Sequence, residues 1–282
     1  MGERRASRRG PAREPRQIQL TFEAKSRFPR VDDPLHKDVS AAARHGESLF
    51  LCCDETAGVD RLLPLDENGY GRHEHFNLGE LVELPDGPDG EMDIEGLDAD
   101  GDWLWVVGSH SLKRDKPGDG ESPGDALGTM ASIDRDPNRA FLARVPLRVS
   151  HGCAEPVAQD GERRIDGRRR YRKHLLPTRG QGIRDLAFDG DDLLLLTGPT
   201  TAGDGAAGIL RWRDAVSVTT SGVVPDDGVD HETELPYRGA VDHPEGLVRW
   251  FGKNEWLVVY DSPAEQRLDS EPARLMADVW RI

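Results

Sequence analysis

The sequence predicts an all-β protein, a β-propeller of five blades, with six blades as the alternative. Three observations carry this prediction: short apolar segments are separated by turn residues, four of these segments are copies of one hairpin, and a strand pattern lies near each end of the chain. With 31 Gly and 19 Pro among 282 residues, the composition is typical of many short elements joined by many turns. A chain of this length can bury the core of one large all-β domain.

The repeated hairpin is clearest between residues 93 and 114, where two carboxylates, an Asp-Gly turn and an apolar return strand follow one another. Related hairpins begin at residues 38, 182 and 242. When the copies are aligned on the glycine of the turn, the equivalent positions are Ser40, Glu95, Arg184 and Glu245. The steps between copies are generous for a four-stranded blade of ~40–50 residues. The longest step, between the second and third copies, leaves room for a degenerate blade or a long insertion.

The remaining elements follow from local patterns. Four further segments alternate polar and apolar residues as strands do: 17–22, 139–147, 208–213 and 277–282. A strand at each terminus predicts ring closure, in which one blade takes strands from both ends. A short helix is predicted near 76–82, and residues 115–138, rich in Gly, Pro and Asp, predict a long surface loop. Residues 1–16 predict a disordered basic tail before a single domain over 17–282.

Charge and targeting signals restrict the function. The net charge of −15 argues against a nucleic-acid partner, because most of the surface would repel a phosphate backbone. No run approaches ~18 consecutive apolar residues, and no apolar run follows the basic N-terminus, so neither a membrane partner nor export is expected. An odd set of three cysteines without metal spacing favours a reducing cytoplasm, and frequent Asp and Arg with few Lys indicate a bacterial source. Because no Walker loop or G-x-G-x-x-G motif is present, no organic cofactor is expected.

Seven segments carry a resemblance to a known family: 70–76, 93–97, 103–114, 136–139, 182–186, 242–246 and 258–263. On these segments, which are spread across most of the range from residue 35 to residue 282, the chain resembles the bacterial family of domain-of-unknown-function proteins numbered 3616, a relative of the esterase-like phytase propellers. The resemblance implies a β-propeller and supplies no established activity. Longer relatives have a further repeat before residue 182, so the short polar stretch 149–179 implies a blade that is lost or eroded here.

The candidate site follows from the repeat. In a propeller the inner strands line a central channel, so equivalent positions converge at one mouth. The carboxylates expected there are Asp38, Asp93, Glu95, Asp185, Asp242 and Glu245. Because carboxylates at close range recruit a hard cation or raise one another's pKa, the sequence predicts a Ca²⁺ or Mg²⁺ site with Asp38, Asp93, Glu95, Asp242 and Glu245 as ligands. The alternative is that these carboxylates accept backbone N–H groups of neighbouring blades and hold the ring closed.

A second set is basic and hydroxylic. The predicted substrate-binding residues are Ser109, His110, Lys113 and Arg114, and the predicted catalytic residues are Glu95, Glu245, Arg184 and His243. Arg184 is the one cation among the equivalent positions, and it either orients an anionic substrate or forms a salt bridge with Glu95 or Glu245. His73 and His75 face the same side of a strand as metal ligands must, but without an evident third ligand they are predicted to be surface or packing residues.

Two functions remain open on these residues. The leading hypothesis is a soluble propeller that binds a small anionic ester or phosphoester at the acidic channel mouth with a divalent cation, and it leaves open whether hydrolysis follows binding. The competing hypothesis is a non-catalytic protein-interaction scaffold whose channel carboxylates are structural.

Overall fold

The structure of the protein is a computed structural model. It describes residues 14–23, 35–53, 56–82, 84, 87, 92–109, 113–114, 117–118, 120–134, 137–140, 142–158, 174–199, 205–220, 222–235 and 241–282. The predicted basic tail over residues 1–16 therefore lies almost entirely outside the described residues.

Strands make up most of the described chain, as the sequence predicts. In chain order the strands of the first half are β1 (Arg16–Thr21), β2 (Val39–His45), β3 (Ser48–Cys53), β4 (Gly58–Asp66), β5 (Gly69–Asn77), β6 (Ile94–Asp100), β7 (Trp103–Gly108), β8 (Lys113–Arg114), β9 (Ile133–Asp134), β10 (Leu142–Ser150) and β11 (Cys153–Pro156). The strands of the second half are β12 (His174–Leu175), β13 (Gly182–Asp189), β14 (Asp192–Gly198), β15 (Ala207–Trp212), β16 (Gly222–Val223), β17 (Val229–Leu235), β18 (His243–Arg249), β19 (Glu255–Asp261), β20 (Leu268–Ser270) and β21 (Ala273–Arg281).

The α-helices in the described residues are short. Helix α1 (Leu78–Leu81) lies where a short helix is predicted, and helix α2 (Pro123–Ala131) corrects the prediction of a plain loop over 115–138. The Ser122 hydroxyl accepts the Asp125 N–H and a proline follows it, which are the features that start a helix. None of the residues of α2 is buried, so the sequence lacks the amphipathic pattern that would have predicted it. The 3₁₀ turns are Leu35–Lys37, Pro137–Ala140, Ala215–Ser217, Asp226–Gly228 and Glu265–Arg267.

The main strands form four-stranded antiparallel sheets, one for each copy of the repeat. We name them blade 1 (β2, β3, β4, β5), blade 2 (β6, β7, β10, β11), blade 3 (β13, β14, β15, β17) and blade 4 (β18, β19, β21, β1). The short pairs β8–β9 and β12–β16 lie outside the blades. The fold is therefore all-β and propeller-like, as predicted, and the described residues account for four blades.

The chain termini close one blade, as the two terminal strand patterns predict. Strand β1 pairs antiparallel with β21 from Arg16 opposite Val279 to Thr21 opposite Arg274. The other edge of β1 runs parallel to β5, with Gln19 opposite Gly69. This pairing joins blades 4 and 1 in one curled sheet and covers a strand edge that would otherwise be open.

The inner strand of each blade carries a β-bulge at the same repeat position. The register with the next strand skips Ser40 in β2, Glu95 in β6, Arg184 in β13 and Glu245 in β18. These are the four residues that the alignment of the repeat made equivalent, so that alignment is correct at the level of single residues. A bulge turns its side chain out of the regular strand alternation, which is how sheets aim side chains at sites.

Buried apolar clusters lie between blades 4 and 1, between blades 1 and 2, and between blades 3 and 4. The inner strands accordingly pack in the order β6, β2, β18, β13. A further cluster, which includes Leu195, Leu210 and Trp212, lies on the other face of blade 3. Among the described residues no buried cluster joins blade 2 to blade 3, and we call this boundary, between β6 and β13, the opening.

Candidate functional site

The four bulge residues do not share one environment. Ser40 is buried, and its hydroxyl donates a 2.6 Å hydrogen bond to the carbonyl of Ile94 at the head of β6. This contact bridges blades 1 and 2, so Ser40 is structural. Glu95 and Arg184 are exposed and Glu245 is half-buried, so these three charged side chains can meet a ligand.

Arg184 and Glu245 form an ion pair across the boundary between blades 3 and 4. Arg184 Nη1 donates to Glu245 Oε1 over 3.0 Å, and Nη2 donates to the carbonyl of Pro199 over 2.6 Å. The Arg184 side chain is 35% exposed and that of Glu245 is 13% exposed. The guanidinium is therefore held in one orientation while part of it still faces solvent. The sequence predicts that Arg184 either orients an anionic substrate or forms a salt bridge with Glu95 or Glu245, and the structure contains the salt bridge with Glu245.

The carboxyl group of Glu245 has an unusually high pKa. Burial raises the pKa of Glu245 to about 7, the charge of Arg184 opposes this increase, and the nearby Glu95, Asp261 and Asp185 carboxylates add to it. Carboxyl groups of blades 2, 3 and 4 are therefore close enough to Glu245 to influence its pKa. A carboxyl group with this pKa can both hold and release a proton near neutral pH.

Asp185 is expected among the carboxylates at the mouth, but it is not one of the predicted metal ligands or catalytic residues. Its Oδ2 accepts the N–H of Leu247 over 2.6 Å and its Oδ1 accepts the N–H of Leu186 over 2.7 Å, so it links blade 3 to blade 4. Burial raises the pKa of Asp185 to about 7, the two backbone N–H groups oppose this increase, and Asp98 adds to it. The alignment of the four repeat copies could have singled out Asp185, because the equivalent residues in the other three copies are small: Ala41, Gly96 and Gly246.

His243 lies beside Asp261, which is one of the carboxylates that influence Glu245 at the mouth. Its Nδ1 lies 3.6 Å from Asp261 Oδ2, and the two residues are opposite each other in the pairing of β18 with β19. Asp38 forms a backbone bridge with the same Asp261. Arg184 thus contacts Glu245 directly, Glu95 influences the pKa of Glu245, and His243 lies beside Asp261, which also influences that pKa.

Asp93 and Asp242, which the sequence predicts as metal ligands, each form an ion pair with an arginine. Asp93 Oδ2 lies 2.6 Å from Arg139 Nη1, and Asp242 Oδ1 accepts Arg267 Nε over 2.9 Å. Both aspartates have left-handed backbone angles, with φ of 50° and 60°, and each comes directly before the inner strand of its blade. Arg139 and Arg267 come from equivalent 3₁₀ turns. The two ion pairs are therefore a repeated structural motif that stabilises the entry to the strand.

A divalent cation fits this arrangement poorly. Three of its five predicted carboxylate ligands are already paired with arginines, and the described residues contain no group of three or more His, Cys, Asp or Glu side chains placed to hold a metal ion. Calcium and magnesium need several oxygen ligands around one point. The Ca²⁺ or Mg²⁺ site stays a prediction.

The predicted substrate-binding loop is only partly described. Ser109 follows β7, and its N–H donates to the carbonyl of Asp93 over 2.8 Å, which ties the loop to the head of β6. His110 lies outside the described residues, as do the side chains of Lys113 and Arg114, whose backbone forms β8. The structure therefore places only Ser109 of this set near the strand heads.

His73 and His75 meet a third group that lies on the neighbouring strand. His73 Nε2 and His75 Nδ1 lie 2.7 and 2.8 Å from Asp60 Oδ1, and the side chains of His73 and Asp60 are fully buried. The N–H of Glu23 donates to His73 Nδ1, so the proton of His73 is on Nε2 and points at Asp60. A protonated Nε2 cannot bind a metal, which supports the packing role predicted for this pair.

The fold and the charged mouth define the class of this protein: an all-β, propeller-like repeat protein with carboxylates and one arginine at the heads of its inner strands. The chain belongs to the family described as protein of unknown function (DUF3616), whose model matches residues 38–167 and 162–278. The family predicted from the sequence is thereby confirmed. No curated protein matches the chain. None of the helices among the described residues is long and apolar enough to cross a membrane.

Proposed function

We propose that this protein binds a small anionic ester or phosphoester at the Arg184–Glu245 mouth and hydrolyses it. The observation that carries the proposal is the pairing of a partly exposed guanidinium with a carboxyl group whose pKa is raised to about 7. Perturbed carboxyl groups next to a fixed cation are a frequent feature of catalytic sites. The relationship to phytase-like propellers, a bacterial source and a cytoplasmic location are part of the same proposal.

The ion pair gives the site two states. When Glu245 is ionised, Arg184 is neutralised by it at 3.0 Å. When Glu245 takes up a proton, the guanidinium loses this partner and can donate two parallel N–H groups to a carboxylate or phosphate of the ligand. An anionic ligand therefore binds together with a proton, and that proton stays on Glu245 beside the bound ester.

The bound ester is then placed for acid–base hydrolysis. A water oxygen attacks the carbonyl carbon or the phosphorus and gives its proton to Glu95. The ester bond breaks, and Glu245 donates its proton to the leaving oxygen, so atoms and charges balance. His243, next to Asp261, assists in orienting the anion. Such a general acid typically contributes about 10²–10⁴-fold to a rate.

Calorimetric titration with inorganic phosphate and phenyl phosphate, together with assays of phenyl phosphate and phenyl acetate hydrolysis, tests this function. We expect binding and turnover in the wild type, loss of binding in Arg184→Gln, and binding without turnover in Glu245→Gln. Arg213→Gln is the matched control, because Arg213 lies on blade 3 and pairs with Asp230 away from the mouth. Equal behaviour of the wild type and Arg184→Gln would contradict the proposal. Parallel titrations with Ca²⁺, Mg²⁺ and a chelator test the metal prediction separately.

A second candidate function has its own support. A non-catalytic interaction scaffold is favoured by the opening between blades 2 and 3, because inner-strand residues beside this opening are exposed. This function predicts no turnover of any ester and a protein ligand instead of a small anion.

A further inference from the structure

The inner strand of blade 3 exposes residues that the other three blades bury. Two positions after the bulge, Ala42 is 3% exposed, Leu97 9% and Leu247 3%, whereas Leu186 is 50% exposed. One position before the bulge, Val39 and Ile94 are 0% exposed, whereas Ile183 is 45% exposed. Because these positions are equivalent in the repeat, the difference does not come from the strand itself: among the described residues, no other blade packs on this side of blade 3.

The exposed side chains belong to the face of blade 3 that turns away from blade 4. Leu186 is opposite Leu195 in the pairing of β13 with β14, and Leu195 belongs to the cluster on that face. Phe188, which is opposite Leu193, is 64% exposed on the same face. The intervening Ala187 packs towards blade 4. Leu186 and Phe188 thus continue a buried apolar face out into solvent, and contiguous exposed apolar residues beside a polar rim are a feature of interaction sites.

Blade 2 forms the opposite wall of the opening. Its buried face, with Leu97, Leu104 and Val106, packs on blade 1. Its other face carries Trp103 and Trp105, which are half-buried, with the Arg144 guanidinium 4.0 Å from the Trp103 ring centre. This wall therefore offers aromatic surface beside the opening.

The inner rim of the opening is acidic. Asp98 and Asp100 are opposite Trp105 and Trp103 in the pairing of β6 with β7, so they share the outward face of blade 2. Asp98 on β6 also adds to the raised pKa of Asp185 on β13, so the two carboxyl groups are close enough to interact electrostatically. An apolar wall with an acidic rim is complementary to apolar side chains that are flanked by cations.

We propose that the opening between blades 2 and 3 is a docking surface for a segment of a partner protein in which apolar residues alternate with lysine or arginine. The apolar residues cover Leu186 and Phe188, and the cations meet Asp98 and Asp100. A second copy of this chain is a poor occupant, because it carries the same acidic rim and a net charge of −15. An extended segment fits because the walls are sheet faces, on which alternate residues of a strand point the same way.

The test uses fluorescent octapeptides in which lysine alternates with valine, with lysine–serine and glutamate–valine peptides of the same length as controls. We expect fluorescence anisotropy to show binding of the lysine–valine peptide alone. Binding should weaken about tenfold or more in the double variant Leu186→Ser/Phe188→Ser and in Asp98→Asn. Two control variants should bind the lysine–valine peptide as the wild type does. They are Leu65→Ser, which changes an exposed leucine of blade 1, and Glu245→Gln at the mouth. The latter separates this surface from the proposed hydrolytic site.

Three results would overturn the proposal. The first is equal binding of the lysine–valine and glutamate–valine peptides, or no binding of either. The second is protection of Phe188 from hydroxyl-radical labelling in the isolated monomer, which would mean that another part of the same chain covers this face. The third is self-association in sedimentation velocity that the double variant abolishes, which would make a second copy the occupant. Far-UV circular dichroism checks that each variant is folded.

Discussion

Arg184 and Glu245 occupy equivalent positions in two copies of one repeat, and a 3.0 Å hydrogen bond joins them across a blade boundary. Each is the bulged residue of its inner strand, so the fold aims both side chains at the same mouth. If the two copies had kept the same residue, two like charges would meet here. The arginine in one copy and the glutamate in the other therefore make this contact an ion pair instead of a repulsive one.

The first prediction concerns stability against pH. The folded-state pKa values of Glu245 and Asp185 are raised to about 7, above those of the unfolded chain. The folded protein then binds more protons than the unfolded chain between about pH 4 and pH 7, so these groups make its free energy of unfolding fall as pH rises through this window. The maximal slope is about 1.4 kcal/mol per pH unit for each group. Urea denaturation at several pH values across this range measures how the free energy of unfolding depends on pH. Glu245→Gln should flatten the slope, and an unchanged slope in that variant would contradict the assignment.

The second prediction concerns the partner of Glu245. In Arg184→Met, the pKa of Glu245 should rise above its value of about 7, because the variant removes the one nearby charge that lowers it. Carbon-13 NMR titration of the glutamate side-chain carboxyl groups measures this shift. Arg213→Met removes a cation elsewhere on blade 3 and should leave the Glu245 titration in place. A fall in the pKa of Glu245 in Arg184→Met would show that the two side chains are not paired.

The third prediction concerns the buried network at Arg267. Its guanidinium contacts Asp242 over 2.9 Å and Asp278 over 2.8 Å, and its side chain is 4% exposed. Arg267→Met leaves two buried carboxylates without their cation and should lower the free energy of unfolding by about 3–5 kcal/mol. Arg148→Ala removes an exposed partner of Glu155 and should change it by less than about 1 kcal/mol. Urea unfolding at pH 7 compares the free energies of unfolding of the two variants. Similar losses of stability in both would contradict the structural role of Arg267.

The fourth prediction concerns the small residues after the bulges. A Cβ at Gly246 would lie 2.5 Å from Val259 Cγ2 and 3.1 Å from the backbone nitrogen of Ala42. Gly246→Ala should therefore lower the free energy of unfolding by about 1–3 kcal/mol through overpacking. Gly128→Ala in helix α2, where nothing lies within 4 Å, should instead raise it by about 0.5–1 kcal/mol. Thermal unfolding of the two variants separates these effects, and destabilisation by both would refute the steric reason.

Much of the fold could be predicted because its determinants are local. The turn glycines and the alternation around them aligned Ser40, Glu95, Arg184 and Glu245, and all four prove to be bulge residues. The pairing of β1 with β21 followed from strand patterns at both ends of the chain. Helix α2 escaped prediction because it buries none of its residues and so has no periodic apolar pattern.

The candidate site was less predictable, because a side chain's partner often comes from a distant part of the chain. The sequence grouped Asp93 and Asp242 with Glu95 and Glu245 as possible ligands of one metal. The structure pairs both aspartates with arginines from 3₁₀ turns that follow the second strand of each hairpin, and no local pattern announces that contact. Asp60 likewise joins His73 and His75 from the neighbouring strand.

The sequence by itself determined the four repeats, the strand positions, the closure by the two termini and the family, since each depends on residues that are close together or on motifs read in order. Only the tertiary structure decided that Arg184 faces Glu245, that Asp185 bridges two blades and that Leu186 and Phe188 of blade 3 are exposed. The physical reason is that ion pairs, burial and the pKa values that depend on them arise between residues far apart in the chain, which sequence spacing alone does not bring together.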